Sequence, residues 1–178
     1  MFTLDYNDGG YSLVNRMKKR LKSNIPEEII TAIIRNDFKL IKEWCSPSTV
    51  NLHDGDNRSI IFLAIIFNSI DLVSLLLEQK PNLNIKDSIG WYPLHYAAQN
   101  YLPKIVEGLL KHGALTEMKD DYGNTPLWRA TFSSAGKGEV INLLLASGAD
   151  PYAPNDAGIT PHQLAQTIAN YDVKQFFI

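Results

Sequence analysis

Apolar residues along this chain fall at helical spacing in short stretches rather than in one long run. In "KIVEGLLKHGA", Ile105, Val106, Leu109 and Leu110 form a single stripe on a short helix. Comparable leucine-rich stretches are "DLVSLLLEQ" earlier and "EVINLLLASGAD" later. Each follows a second phrase: "DGDNRSIIFLAI" (54–65), "DSIGWYPLHYAA" (87–98) and "DDYGNTPLWRAT" (120–131), with "NDAGITPHQLAQ" (155–166) as a fourth. Their equivalent positions Ser59, Tyr92, Thr125 and Thr160 lie 33, 33 and 35 residues apart. A divergent unit, "PEEIITAIIRNDFKLIKEWC", precedes them and keeps the helix pair without the "TPLH" phrase. No such unit can bury its stripe alone, so the units must stack.

Local chemistry supports the same division. Gly90, Gly123 and Gly158, with Asn57 in the first phrase, recur where a tight turn needs positive φ. Thr125–Pro126 and Thr160–Pro161 read as helix starts, the threonine capping and the proline at the first helical position. Gly113 and Gly148 stand where each second helix must stop. Near the end, Phe176, Phe177 and Ile178 are expected to close the last interface. At the front, "SLVNRMKKRLKSN" places Leu13, Val14, Met17 and Leu21 on one face, which predicts an additional helix over 11–23.

These phrases resemble the ankyrin repeat, whose pattern runs D-x-x-G-x-T-P-L-H-x-A-A and then L-L-L-x-x-G-A-D. Asp87, Gly90, Pro93, Leu94, His95, Ala97 and Ala98 meet it, as do Asp120, Gly123, Thr125, Pro126, Leu127, Ala130, Gly148, Ala149 and Asp150. Departures are Asn57 for the glycine, Ile60 for the proline and Trp128 for the histidine. The resemblance implies an all-α solenoid of helix–turn–helix units joined by β-hairpin-like loops. It divides the chain into an N-terminal extension with a basic capping helix (1–24) and a repeat domain (25–178). Within the domain come a divergent repeat at about 26–54, repeats at about 55–87, 88–120 and 121–155, and a truncated C-terminal unit at 156–178.

Composition removes several function classes. The apolar fraction is 45%, the charged fraction 20% and the net charge −2, so no global charge favours nucleic-acid capture. "IIFLAIIF" (60–67) is too short to span a bilayer, and the N-terminus reads as no signal peptide. The single cysteine, Cys45, excludes an internal disulfide and fits a reducing, cytoplasmic address. His53, His95, His112 and His162 sit in different units without ligand spacing, so neither metal nor cofactor is expected. His95 is read as a structural histidine bonded to neighbouring turn backbone. "SSAGKGE" (133–139) lacks the spacing of a phosphate loop. The basic run "RMKKRLK" (16–22) is read as the solvated face of the capping helix. These readings point away from an enzyme.

What remains is surface. Ankyrin arrays bind proteins through hairpin tips and the exposed side of the first helix, and the resemblance carries that expectation here. Residues between each turn glycine and the "TPL" phrase are expected outside the core. Candidate partner-binding residues are therefore Arg58, Lys86, Ile89, Trp91, Tyr122 and Asn124 on the tips, with Arg129, Phe132, Ser133 and Lys137 along the third unit. Trp91 beside Ile89 is the leading anchor, unless its ring folds back onto Tyr92 or the neighbouring tip. The third unit also carries two extra residues around Gly136 and Gly138 relative to the second. Arg129 occupies a position usually apolar, and it is expected to organise that longer loop through backbone carbonyls or Glu139.

Residues 123–173, with "LWRA-F", a Gly-x-Gly turn and "LAQTIANYD", further resemble short bacterial ankyrin proteins that act as immunity proteins beside toxins. That resemblance implies a monomeric, cytoplasmic binder that neutralises a toxin effector domain one to one. The alternative is a generic adaptor or effector binding another cellular protein.

Overall fold

The computed structural model describes residues 23–177. The basic helix expected over 11–23 lies, apart from Ser23, outside them, as does Ile178. The described chain runs through nine short α-helices: α1 (Glu27–Arg35), α2 (Phe38–Trp44), α3 (Ile60–Ile66), α4 (Ile70–Leu77), α5 (Pro93–Gln99), α6 (Pro103–Lys111), α7 (Pro126–Ser133), α8 (Glu139–Ala146) and α9 (Pro161–Thr167). A 3₁₀ turn, Val173–Phe176, follows. Among the described residues the only β pairing is an isolated bridge between His53 and Ser59.

Helix starts follow from the sequence as read. Thr125 Oγ1 accepts from Trp128 N–H at 3.3 Å, and Pro126 takes the first helical position, where no N–H is needed. At α9 Thr160 and Gln163 form a reciprocal capping box: Oγ1 accepts from Gln163 N–H at 3.1 Å, and Gln163 Oε1 from Thr160 N–H at 3.0 Å.

The odd-numbered helices form an inner row and the even-numbered ones an outer row. Packing runs α3–α5–α7–α9 along the inner row and α4–α6–α8 along the outer, with each helix also packed on its hairpin partner. The inner layer buries Phe62, Leu63, Leu94, Ala97, Ala98, Leu127 and Ala130; the outer buries Leu72, Leu76, Ile105, Val106, Leu109, Val140, Ile141 and Leu144. Each larger aliphatic or aromatic side chain contributes about 1.5–3 kcal/mol by leaving water. Residues Ile60 to Ile65 of α3 are all buried, which explains its uninterrupted apolar sequence.

Ahead of α3, α5, α7 and α9 the chain makes a finger. Asp54, Asp87, Asp120 and Asn155 each accept, through Oδ1, the N–H groups two and four residues on, at 2.9–3.1 Å for all eight bonds. Short polar side chains favour this Asx turn because the oxygen replaces a backbone acceptor. Asn57, Gly90, Gly123 and Gly158 take the left-handed conformation that closes each finger. At Gly90 and Gly123 the next finger leaves no room for a Cβ, since Asp121 and Asp156 occupy that space. Neighbouring fingers are tied by Ser88 N–H to Asp56 O at 2.8 Å and Asp156 N–H to Tyr122 O at 3.1 Å.

The two extra residues lie between α7 and α8. The corresponding turns each use one left-handed non-glycine residue: Asn36 after α1, Asn68 after α3 and Tyr101 after α5. After α7 two successive residues, Ala135 and Gly136, are left-handed. The lengthened turn is packed from both sides. Tyr101 Oη donates to Lys137 O, and Gln99 Nε2 donates to Ser133 Oγ. Gly136 abuts Tyr171, and Gly138 faces the Phe176 ring.

Candidate functional site

The fingers and the inner helices place a row of side chains on one face, and its geometry begins with the four finger acids and amides. The turn uses one side-chain oxygen of each, and the second carboxylate oxygen of the three aspartates needs a partner. Asp54 Oδ2 receives Arg58 Nε at 3.1 Å and Nη2 at 2.9 Å. Asp87 Oδ2 accepts from Tyr96 Oη at 2.6 Å. Asp120 Oδ2 accepts from Arg129 Nε at 2.8 Å and also from Arg129 Nη2, with Asn124 Nδ2 at 3.3 Å. In the last finger the residue is neutral Asn155, which needs no cation; its Nδ2 donates to Asn124 Oδ1 at 2.9 Å.

This repeating device corrects the expected role of Arg129. Its guanidinium does not reach the loop carbonyls or Glu139 among the described contacts; it turns back to Asp120, nine positions earlier. Tyr96 stands at the equivalent place in the preceding unit and does the same for Asp87. Leu63 and Leu164 occupy that place in the first and last phrases. There the finger acid is served by Arg58 from within the finger, or is already an amide. The signal was legible as a polar residue nine positions after a finger aspartate.

Burial alone would push the Asp120 carboxyl up, but the bonds from Arg129, Tyr122 N–H and Asn124 N–H together hold it below the usual carboxylate range. For Arg58, burial alone would lower the guanidinium, and the hydrogen bond and charge of Asp54 more than restore it. Burial raises the Tyr96 hydroxyl strongly, with the Asp87 carboxylate adding to the effect, so it remains a donor.

Arg129 also joins two tryptophans. Its guanidinium carbon lies 4.4 Å from the Trp91 ring centroid and 5.8 Å from that of Trp128. Trp91 is half-buried, edge-on to Tyr96 of its own unit with centroids 5.0 Å apart, so its ring lies between α5 and Arg129 of the next unit rather than standing free. Trp128 stacks on Phe132 at 5.6 Å with 12° between planes. A continuous strip therefore runs from Arg58 past Tyr96, Trp91, Arg129 and Trp128 to Phe132.

The other candidates divide by exposure. Ile89, Tyr122 and Phe132 are 57%, 68% and 60% exposed. Lys86 is exposed and paired with Asp121 at 2.9 Å. Lys137 is exposed in the long turn, with Nζ 5.7 Å from the Tyr101 ring centroid, and Ser133 is half-buried. Asn124 is not on the open surface as expected: it is 4% exposed and held by Asp120 and Asn155, because its side chain completes the Asp120 site.

His95 is fully buried. Its Nε2 lies 2.9 Å from Asn124 O, which can only accept, so Nε2 carries the proton; Nδ1 then accepts from Tyr92 N–H at 3.4 Å. The ring pins one unit to the next finger, the structural role read from sequence. Burial lowers its pKa to about 4, keeping it neutral. Cys45 is half-buried, and burial raises its thiol, which disfavours the reactive thiolate. Among the described residues no group of His, Cys, Asp or Glu is arranged to hold a metal, and no helix is long and apolar enough to cross a membrane.

The finger–helix–turn–helix unit and its "TPLH"-type phrase agree with comparison against known families, where a model of ankyrin repeats matches in 3 copies, over residues 29–120 and 80–155. The chain belongs to the ankyrin repeat family. Similar ankyrin-bearing proteins include the tyrosine-protein kinase Shark of Drosophila melanogaster, 28% identical over 150 residues, covering 83% of this chain and 16% of that protein. Ankyrin repeat and SAM domain-containing protein 6 of Rattus norvegicus is 31% identical over 120 residues, 66% of this chain and 14% of that protein. The E3 ubiquitin-protein ligase KEG of Arabidopsis thaliana is 32% identical over 147 residues, 76% of this chain and 9% of that protein. The ankyrin chain thus spans a small share of each relative's length. Ankyrin repeats serve as protein-interaction modules, and the enzymatic names belong to multidomain proteins of which the matching region is one part.

Proposed function

We propose that this ankyrin chain binds one protein partner, without catalysis, through the strip from Arg58 to Phe132 and the flanking finger tips. The observation that carries the reading is the coexistence of paired charges at Arg58, Lys86 and Arg129 with exposed Ile89 and Tyr122 on neighbouring fingers and exposed Phe132 on α7. Exposed apolar side chains grouped on a rigid scaffold are the usual makings of a binding hot spot. Arg58, Asn124 and Arg129 hold the fingers and orient the aromatic residues. Ile89, Trp91, Tyr122 and Phe132 supply contact area, with Lys86, Ser133 and Lys137 at the rim.

The finer reading is one-to-one neutralisation, in the cytoplasm and by a monomer, of a toxin encoded beside the chain. It rests on the likeness of residues 123–173 to bacterial immunity proteins. A second reading, an adaptor segment for another cellular protein, is favoured by the small fraction of each relative that the chain covers. Affinity capture from the native source, comparing wild type with Tyr122→Ala and Phe132→Ala, tests the site. One stoichiometric partner lost in both variants supports it. A partner retained by both would refute the strip. Rescue of cells from the co-expressed partner selects neutralisation, and its absence selects the adaptor.

A further inference from the structure

Resting on that binding reading, we infer that the partner meets this strip with an uncharged, apolar protein segment, and that the contact is insensitive to salt. From Arg58 to Arg129 the cations of the strip already have intramolecular partners, while Lys137, at its rim, has among the described residues only the Tyr101 ring beside it, 5.7 Å from Nζ. Arg58 is paired with both Asp54 and Asp56, the latter at 2.8 Å. Arg129 is paired with Asp120, and Lys86 with Asp121. Lys119 Nζ, on the same row of fingers, donates to Pro154 O at 2.7 Å. An acidic partner group would have to displace one of these intramolecular acceptors, and a basic one would compete with the guanidinium or ammonium already present.

The tryptophan faces are occupied in the same way. A cation seeking an aromatic face would find Arg129 already lying 4.4 Å from the Trp91 centroid. Phe132 covers one face of Trp128, and Arg129 lies within cation–π reach of the same ring. Cation–π recognition of a lysine or arginine at the two tryptophans is therefore disfavoured. What the strip still offers is apolar surface: the open side of Phe132, and Ile89 and Tyr122 on adjacent fingers. Burying such surface yields affinity without counterion exchange, so ionic strength has little hold on it.

The test uses the full chain, immobilised, against a displayed library of random dodecapeptides, selected in parallel at about 0.1 M and about 1 M salt. The expected result is the same family of enriched peptides at both salts, with aromatic or aliphatic anchors and near-zero net charge. Ile89→Ser and Phe132→Ser should each weaken the selected peptides about tenfold, whereas Leu115→Ser, an equally exposed apolar site in the loop after α6, should leave them unchanged. Both strip positions are surface side chains, and circular dichroism of the variants checks that the fold persists. Enrichment of acidic or basic peptides that vanish at high salt would overturn the inferred chemistry while leaving the binding face standing. Peptides indifferent to both strip variants, or no enrichment at either salt, would overturn the inference together with the assigned face.

Discussion

Replacing Arg129 by leucine should destabilise the chain by about 2 kcal/mol, and the loss should largely disappear when Asp120 becomes asparagine as well. The magnitude follows from what each partner keeps. Removing one member of a buried ion pair costs about 3–5 kcal/mol when the other is left uncompensated. Asp120 has no exposed side-chain surface, but it would retain its bonds from Tyr122 N–H, Asn124 N–H and Asn124 Nδ2. The Arg129 side chain is 14% exposed, so water already screens part of the pair. Both points bring the expected cost below the full figure. Loss of the stack on Trp91 adds about 0.5–1 kcal/mol to any variant lacking the guanidinium. The double variant reproduces a pairing the chain already contains, since Asn155 and Leu164 hold the same two places in the last phrase. Urea unfolding of wild type, Arg129→Leu, Asp120→Asn and the double variant gives the coupling directly, and the stacking contribution cancels from it. A coupling of at least about 1.5 kcal/mol is expected. Additive losses would show that Arg129 and Asp120 do not act as a pair, and would refute the account of the finger acids.

Acid should expose His95. Its pKa falls from 6.5 to about 4 on folding, so the unfolded chain binds the proton first and stability declines as pH drops through that window. The difference amounts to about 3 kcal/mol at the lower end, and His95→Gln, the residue found at Gln163, should flatten this part of the pH–stability curve in urea titrations. Gly138→Ala should cost about 1–3 kcal/mol by driving a methyl into the Phe176 ring, seen as a lower Tm; an unchanged Tm would mean the turn and the 3₁₀ segment are not packed together. Tyr101→Phe should cost about 1 kcal/mol through loss of the bond to Lys137 O, and hydrogen exchange at Lys137 and Gly138 should quicken relative to wild type. Lys86→Ala should leave the urea midpoint essentially unchanged, since both it and Asp121 are exposed and screened by solvent; a clear drop in the midpoint would contradict that geometry.

Much of this molecule is written in short-range chemistry. Positive-φ residues at Asn57, Gly90, Gly123 and Gly158, threonine caps before proline, and leucines at helical spacing depend on neighbours a few positions away, so the sequence alone determined the units, their order and their stacking. The burial of His95 against the next turn was legible for the same reason, because a regular repeat puts the same contact at the same offset. Other features depended on contacts between units. Whether the second oxygen of a finger aspartate takes an arginine from its own finger, a tyrosine or arginine from the following helix, or an amide, is settled by which long side chain can reach it in three dimensions. That competition turned Arg129 toward Asp120, withdrew Asn124 from the surface and laid Trp91 between Tyr96 and Arg129. The turn after α7 likewise took its form from Tyr101 on one side and Tyr171 and Phe176 on the other, residues distant in sequence that stacking brings into contact.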